Sequence, residues 1–485
     1  MEDKQGLSIS KKTFFSTAAI LLAILLFAGI LTQILPRGAY DRVVTAQGYT
    51  QVVDGTYRET GEAKLPVWRW FTAPFEVFAS GDSAVAIVIM VFLVFMGGAF
   101  LVLDKSGVLR RIMFVLASRF GKTKYRLLAV SVLVCMAMGS FVGMMEETVP
   151  LVPIGVALAL ALGWDTFVGV GMTLLAVGMG FAAGTVNVFT IGIAQNLAGL
   201  PTFSGIGWRL VYFAVVYGIF LFFLTRYAKK IEADPKRSAL YESDKERRAR
   251  FAYNPDDPVA LDARVAKGTR IFVCSLLPVV VYVLLSLWFT ALSDYVLPVL
   301  MVLMTFGALT AGAVSGYSGE RGGLLRDFGS GMLSILPCSL FIILAMSAKQ
   351  ILVEGGIMDT ILYRVYGLLS GLGPYTCVLL IYVFVLILEF FVSSASAKAF
   401  LMMPLLVPLA DLVGITRQTL VQAYAFGDGF TNLFYPTNSM LLIALGIINV
   451  SYAKWFRWTW KLQAVLAAVS CAFLLFFVKI GWGPF

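Results

Sequence analysis

Apolar stretches of about twenty residues recur along this chain, and they constrain its fold more than any other feature of the sequence. The first, residues 14 to 35, reads FFSTAAILLAILLFAGILTQIL. Stretches of this length cross a bilayer as α-helices, whereas a transmembrane β-barrel is built from alternating strands of roughly ten residues. We therefore predict an all-α polytopic membrane protein. The first stretch is too long for the core of a signal peptide, so we expect it to be retained as a span.

The composition removes most enzyme chemistry. No histidine occurs among the 485 residues, which excludes a histidine proton relay, a histidine-ligated zinc or haem, and a Ser-His-Asp triad. The five cysteines stand singly without CxxC spacing, and the sequence has no GxxxxGKS or GxxxxGKT loop. We expect neither an enzyme nor a nucleotide-driven pump, and no cofactor. The net charge of +10 comes from basic residues beside the spans, which indicates cytoplasmic loops rather than nucleic-acid binding.

Lysine and arginine indicate which side of the membrane each loop faces, because they accumulate in cytoplasmic loops. A second predicted span, 83 to 104, leads into a basic cluster of Arg110, Arg111, Arg119, Lys122, Lys124 and Arg126. The stretch 107 to 118 within it is amphipathic and suits the bilayer interface. Loop 36 to 82 then lies outside as a strand-and-turn element. We expect a multi-pass protein of a bacterial inner membrane with a cytoplasmic N-terminus.

Two consecutive segments do not fit ordinary spans. Residues 127 to 164 contain two apolar arms that meet at GMMEETVP, 143 to 150, and the second arm is too short to cross a bilayer alone. We predict a re-entrant hairpin. Residues 166 to 199 are too long for one crossing and are interrupted by GFAAGTVN. We predict a broken helix, since irregular backbone in a membrane is tolerated where it is buried or lines a cavity.

The same order of features returns about 250 residues later, where the motif GTVN is echoed by YPTN and a second hairpin precedes a second broken helix. An additional span between the copies would invert the second one. The predicted first repeat is 1–228, with hairpin 127–164 and broken helix 166–199. A cytoplasmic linker, 229–270, and an extra span, 271–295, follow it. The predicted second repeat is 296–485, with hairpin 375–413 and broken helix 418–450. Such inverted repeats are typical of secondary transporters.

These motifs also carry a family resemblance. The blocks SFVGMMEETVPLVPIGVALALALGWD, FAAGTVNVFTIGIAQNLAGLP, SSASAKAFLMMPLLVPLADLVGITRQ and GDGFTNLFYPTN resemble the YfcC-like branch of the C4-dicarboxylate anaerobic carrier (DcuC) family, within the ion transporter superfamily. The resemblance covers nearly the whole chain. It implies an inner-membrane secondary carrier that works as an elevator-type homodimer, with a scaffold and a mobile transport domain. Members of the family are labelled as basic amino-acid antiporters or as dicarboxylate carriers.

The residues at the hairpin tips and breaks are the candidate substrate site. One tip is acidic and the other is rich in hydroxyl groups and basic. The candidates are Glu146, Glu147, Thr148, Asn187, Ser393, Ser394, Ser396, Lys398, Thr437 and Asn438. A cationic or zwitterionic amino acid suits them, with its carboxylate near Ser394 and Lys398 and its cationic group near Glu146 or Glu147.

A coupling ion has its own candidates at the breaks, namely Thr185, Asn187, Asp428, Asn432 and Asn438. Their oxygens and the free helix ends suit sodium, whereas a buried glutamate could carry protons instead. Sodium is the only metal ion that we consider, and the coupling ion is either sodium or a proton.

Simpler interpretations compete with these assignments. Glu147 and Lys398 could neutralise each other, the serines could serve helix packing, and Asp428 could cap a half-helix. Asp165 and Asp411 suit capping or solvent-exposed roles, and Glu389 lies deep in an apolar segment without a motif.

The predicted function is secondary active transport of a small carboxylate-bearing metabolite, with a basic amino acid moved by exchange or ion-coupled uptake as the first candidate. A four-carbon dicarboxylate such as succinate or malate is the alternative, although two adjacent glutamates would repel a dianion. An ion channel is more distant, because no pore filter repeated by symmetry is apparent.

Overall fold

The computed structural model of the protein describes residues 11–44, 50–80, 83–251, 254–288, 292, 295–317 and 323–483. The helices of this part of the chain are α1 (Lys11–Ile34), α2 (Arg69–Glu76), α3 (Ser83–Lys105), α4 (Val108–Phe120), α5 (Lys124–Ala137), α6 (Leu151–Ala161), α7 (Thr166–Val170), α8 (Ala176–Ala183), α9 (Ile193–Leu197), α10 (Ile206–Ala233), α11 (Tyr241–Phe251), α12 (Pro258–Leu261), α13 (Ala263–Trp288), α14 (Val296–Val314), α15 (Leu324–Ile335), α16 (Ser339–Glu354), α17 (Met358–Leu369), α18 (Pro374–Glu389), α19 (Ala395–Val413), α20 (Arg417–Gly429), α21 (Ser439–Ile447) and α22 (Tyr452–Ile480). Ten helical segments of the described residues are long and apolar enough to cross a membrane. The predicted helical, multi-pass architecture is therefore present.

Two small antiparallel ladders follow α1, within the segment predicted as strand and turn. The strands are β1 (Gly38–Ala39), β2 (Arg42–Val44), β3 (Thr50–Val52) and β4 (Arg58–Glu59), with β1 paired to β4 and β2 paired to β3. Asp359 of α17 accepts hydrogen bonds from the Tyr40 N–H at 2.9 Å and from Arg42 Nη2 at 2.8 Å. These bonds fasten the ladders to the helical body.

The helices form two groups by their contacts. In the first group α3 packs against α14 and α15, α1 against α16, and α13 against α14. In the second group α8 packs against α5, α10 and α20, and α18 packs against α20. Every residue of α7 and α8 is buried, so these two helices form the centre of the second group.

Glycines let helix backbones touch in the second group. A Cβ atom on Gly180 would lie 1.9 Å from the carbonyl oxygen of Met136, and one on Gly429 would lie 2.2 Å from Ala182 Cα. Small residues allow such close crossings between membrane helices. The first contact joins α8 to α5, and the second joins α8 to α20. The two predicted broken helices therefore cross each other at backbone distance.

Positions about 250 residues apart end two helices in the same way. Gly163 follows α6 with a φ of 86°, and Gly414 follows α19 with a φ of 81°. Left-handed backbone of this kind favours glycine and ends helices. Trp164 then donates its N–H to Ala159 O at 2.8 Å, and Ile415 donates to Ala410 O at 2.8 Å. This similarity agrees with an internal repeat, whose inversion and re-entrant hairpins stay predictions.

The predicted polar linker, 229–270, contains more helix than its composition suggested. Helix α10 continues to Ala233 and α13 begins at Ala263, so both extend into it. Between them α11 packs onto α6. The charged residues of this segment are therefore helical over much of its length.

Helix α11 is fastened to the ends of the buried helices. Its Asp244 accepts hydrogen bonds from the Thr166 N–H at 2.9 Å and from Thr166 Oγ1 at 2.6 Å, and Arg247 Nη1 donates to Ile448 O at 2.7 Å. Burial raises the pKa of Asp244 above its ordinary value, although the Thr166 bonds oppose that shift. Thus α11 is bonded both to the start of α7 and to the residue that follows α21.

Candidate functional site

A buried ion cluster lies between α18, α19 and α20. Lys398 Nζ is 2.7 Å from Asp428 Oδ1 and also contacts Glu389 Oε2. The side chains of Lys398 and Asp428 are 0% exposed and that of Glu389 is 1% exposed. Asp428 Oδ2 has no hydrogen-bond partner among the described residues. We call these three residues the Lys398 cluster; when all three are ionised, it carries one uncompensated negative charge.

The start of α19 explains why Lys398 points into the protein. Ser394 is the N-cap residue, and its Oγ accepts a hydrogen bond from the Ala397 N–H at 3.4 Å. Lys398 follows four residues later, on the same helix face, and reaches inward from there. Ser393 and Ser394 themselves are exposed at the tip. The tip thus presents hydroxyl groups outward, while the lysine one turn deeper is held by carboxylates.

The second break connects to this cluster through amide side chains. Asn432 Nδ2 donates to the backbone oxygen of Asp428 at 3.0 Å, and Asn432 Oδ1 accepts from Asn438 Nδ2 at 2.9 Å. Asn438 caps α21, since its Oδ1 accepts from the Met440 N–H at 3.0 Å. Thr437 Oγ1 is buried without a partner among the described residues. A continuous chain of hydrogen bonds therefore runs from Asp428 to the start of α21.

The first break uses the same residue type as its cap. Asn187 is fully buried, its Oδ1 accepts from the Phe189 N–H at 2.9 Å, and its Nδ2 has no partner among the described residues. Thr185, two residues earlier, is held by Ser140 on the preceding arm, with 3.1 Å between their hydroxyl oxygens. The backbone N–H of Thr185 also donates to Ser140 Oγ at 3.2 Å. The break is thereby fixed to the end of the first arm.

Both tips meet the first break. A Cβ atom on Gly143, beside the first tip, would lie 2.5 Å from Asn187 Oδ1. From the second tip, Ser396 Oγ donates to Phe189 O at 3.5 Å. The segment from Asn187 to Phe189 therefore lies between the two tips, and it brings together residues more than two hundred positions apart in the chain.

The acidic tip is a short 3-10 turn, Glu146–Thr148. Glu147 Oε2 accepts a hydrogen bond from the Met145 N–H at 3.0 Å, and Thr148 Oγ1 donates to Met145 O at 2.6 Å. Thr148 is fully buried, whereas Glu147 is partly exposed. The side chain of Glu146 lies outside the described residues. The turn thus holds Glu147 near the protein surface and Thr148 inside.

Glu389 is the member of the cluster that sequence reasoning did not assign to the site. Its apolar surroundings gave no motif, although charged side chains buried in a membrane protein pair with one another or with backbone carbonyl groups. Asp165 caps α7, as one interpretation held, by accepting from the Val168 N–H at 3.0 Å. Asp411 pairs with Arg417 at 2.7 Å. Neither aspartate belongs to the cluster described here.

Comparisons with known proteins agree with a membrane carrier. The family model of the C4-dicarboxylate anaerobic carriers (DcuC) matches residues 14–479. An uncharacterized protein of Haemophilus influenzae is 29% identical over 98% of this chain and 99% of its own length. The putative basic amino acid antiporter YfcC of Escherichia coli is 28% identical over 91% of this chain and 92% of its own.

Two solved transporters are also similar. The YdaH transporter of Alcanivorax borkumensis has a TM-score of 0.43 and 16% identity, with 96% of this chain and 100% of that chain covered. MtrF of Neisseria gonorrhoeae, described as one of a class of antimetabolite efflux pumps, has a TM-score of 0.43 and 15% identity, with 96% of this chain and 95% of that chain covered.

Proposed function

The chain belongs to the C4-dicarboxylate anaerobic carrier family, and from this premise we propose that it is a secondary active transporter whose substrate is a basic amino acid of the arginine or ornithine type. Membership of a carrier family and ten candidate spans among the described residues make it a membrane transporter. The substrate proposal draws on the charge of the site and on the name of one relative, a putative basic amino acid antiporter.

The Lys398 cluster carries the proposal. It holds two carboxylates and one ammonium group in a fully buried position, so a single negative charge is left without a partner. Isolated charges in a low-dielectric interior are costly and attract a counter-charge. A cationic substrate or a proton relieves that charge, whereas a dicarboxylate dianion adds to it. The carboxylate of Glu147 at the acidic tip also favours a cationic substrate over a dianion.

The substrate carboxylate fits the second tip. Lys398 is occupied by two carboxylates, so the groups left to receive an anion are the exposed hydroxyls of Ser393 and Ser394 and the N-terminal N–H groups of α19. Helix N-termini bind carboxylates through these groups and the helix dipole. The cationic end of the substrate then faces Glu147.

The coupling ion is a proton in this proposal. Two of the candidate sodium ligands at the breaks, Asn187 Oδ1 and Asn438 Oδ1, already accept backbone N–H groups as helix caps, which leaves them fewer lone pairs for a cation. The uncompensated carboxylate of the Lys398 cluster takes up a proton without any rearrangement of those caps. Protonation of a carboxylate in this cluster then balances its charge when no cationic substrate is bound.

The proposed architecture is an inverted repeat of segments 1–228 and 296–485, working as an elevator-type homodimer in a bacterial inner membrane. The matched glycines at 163 and 414 and the matched asparagine caps at 187 and 438 support the repeat. The family resemblance supports the elevator and the dimer.

Exchange in proteoliposomes tests the substrate. Vesicles loaded with ornithine should accumulate labelled arginine with saturating kinetics, and external lysine should compete while succinate does not. Vesicles loaded with buffer alone are the control for exchange. Uptake driven by an imposed pH gradient in the absence of sodium tests whether a proton is the coupling ion. Uptake of succinate or malate without arginine exchange would refute the amino-acid assignment, and non-saturating flux at channel rates would refute a carrier.

A four-carbon dicarboxylate is the second candidate because of two buried donors. Asn187 Nδ2 and Thr437 Oγ1, one beside each break, have no partner among the described residues, and each can donate a hydrogen bond to an oxygen of a second carboxylate. The name of the family also points to this class. The same vesicles, loaded with succinate and supplied with labelled malate, decide between the two substrates.

A further inference from the structure

A second buried polar cluster lies where α9 ends and where α10 and α20 begin. We call it the Arg209 cluster, and its members are Gln195, Ser204, Arg209, Gln418 and Gln422. Its four long side chains are fully buried. Arg209 Nε donates to Gln422 Oε1 at 2.9 Å, and Arg209 Nη1 donates to Ser204 O at 2.8 Å. None of these residues belongs to the Lys398 cluster or to the hairpin tips.

The Arg209 cluster has more donors than acceptors. Ser204 O receives three N–H donors, from Gln195, Arg209 and Gln418. A carbonyl oxygen has two lone pairs, so this acceptor is overloaded. Two further buried donors, Arg209 Nη2 and Gln422 Nε2, have no acceptor among the described residues. Because Gln422 Oε1 already accepts from Arg209 Nε, turning the amide over would only bring two donors together.

The charge of the cluster is also unbalanced. Arg209 is 0% exposed, and no carboxylate in the described part of the chain forms an ion pair with it. Its guanidinium group lies 5.5 Å from the centre of the Trp482 ring. A cation–π contact attracts the charge but does not neutralise it. A buried cation without a counter-ion is strongly unfavourable, so the missing partner is an acceptor-only group that carries negative charge.

We propose that the Arg209 cluster binds a small monovalent anion, held between Arg209 Nη2 and Gln422 Nε2. Chloride and a carboxylate of acetate size share the required chemistry. The nearest part of the chain to line a cavity is the start of α20: a cavity of about 600 Å³ is lined by Asp411, Thr416 and Arg417, the last two directly preceding Gln418 in sequence. The site is separate from the proposed substrate site and does not depend on which substrate is carried.

Anion replacement in purified, detergent-solubilised protein tests the site. At constant ionic strength, chloride, bromide and acetate are each compared with the bulkier methanesulfonate, and the thermal midpoint is measured. An anion that binds only the folded state raises the midpoint as its concentration rises. We expect an increase of several degrees with chloride or acetate in the wild type. A response to chloride identifies a halide site, and a response to acetate alone identifies a carboxylate subsite.

Two variants and one control make the test specific. Arg209→Gln should lose the anion response. Gln422→Glu places a carboxylate beside Arg209, so it should be stable without added anion and should no longer respond to chloride. Arg126→Gln, at an exposed arginine of α5 outside this cavity, should respond as the wild type does. If Arg209→Gln does not fold, Gln422→Glu decides. A wild type without any anion response, or a Gln422→Glu variant with the full response, overturns the proposal.

Discussion

Replacing Lys398 by methionine is the most direct test of the buried ion cluster. The substitution keeps the length of the side chain but removes the ammonium group that lies 2.7 Å from Asp428 and also contacts Glu389. Two carboxylates then face each other with no positive charge between them. Breaking a buried ion pair by removing one partner costs about 3 to 5 kcal/mol of folding free energy. The side chains are at most 1% exposed, so solvent screening does not reduce this value.

Glu389→Gln provides the contrast. It leaves Lys398 paired with Asp428 as a balanced pair, so its cost should stay near about 1 kcal/mol, the value of an ordinary hydrogen bond. A triple variant that adds Glu389→Gln and Asp428→Asn to Lys398→Met removes every charge and should recover most of the loss. Lys461→Met, at an exposed lysine of α22, controls for the loss of a lysine and should change stability by less than about 0.5 kcal/mol.

Chemical unfolding in mixed micelles, followed by tryptophan fluorescence, measures these differences. The expected order of stability is wild type, then Glu389→Gln, then Lys398→Met, with the triple variant above the last. A Lys398→Met protein as stable as Glu389→Gln would refute the assignment of one shared ammonium to two carboxylates. Transport of every substrate class should be impaired in Lys398→Met, because the charge balance of the site is lost.

Two further predictions concern the first tip and the crossing of the broken helices. Glu147→Gln should abolish uptake of a cationic substrate while leaving thermal stability near that of the wild type, because glutamine still accepts the Met145 N–H bond. Glu232→Gln, in a partly exposed pair with Lys124, is the matched control. Unchanged uptake by Glu147→Gln would remove Glu147 from the site. Gly429→Ala should cost about 1 to 3 kcal/mol in the same unfolding assay, because its methyl group would lie 2.2 Å from Ala182 Cα. Gly367→Ala, with nothing within 4 Å of the added methyl group, should be neutral or slightly stabilising, and equal effects of the two substitutions would contradict a backbone contact at Gly429.

The fold could be predicted from the sequence where a single physical rule decides it. The length of the apolar stretches requires helices, and the break motifs ending in Asn187 and Asn438 predict interruptions at which the structure has asparagine caps. The lengths of α10 and α13 were not foreseen, because a polar composition does not prevent a helix from continuing beyond the apolar run.

The site was harder to predict, because its partners are distant in the chain. Lys398 was a candidate from its tip motif, but its pairing with Glu389 depends on how α18 returns beside α19, and no local pattern reports that packing. Gln422 and Arg209 lie 213 positions apart and were not singled out at all. A hydrogen-bond network between helices that are distant in sequence leaves no periodic signal in either of them.

The polar segment between α10 and α13 also acts as a short covalent connection between two attachment points. One end is fastened to the buried helices through Asp244 and Arg247 of α11, and the other is fastened to α4 through the contact of Arg110 Nε with Asp257 Oδ2 at 2.5 Å. The chain from the end of α11 at 251 to the start of α12 at 258 joins these two attachments. Seven residue steps extend to at most about 25 Å. As long as both attachments hold, this short connection sets the largest distance between α11 and the attachment of Asp257 to α4.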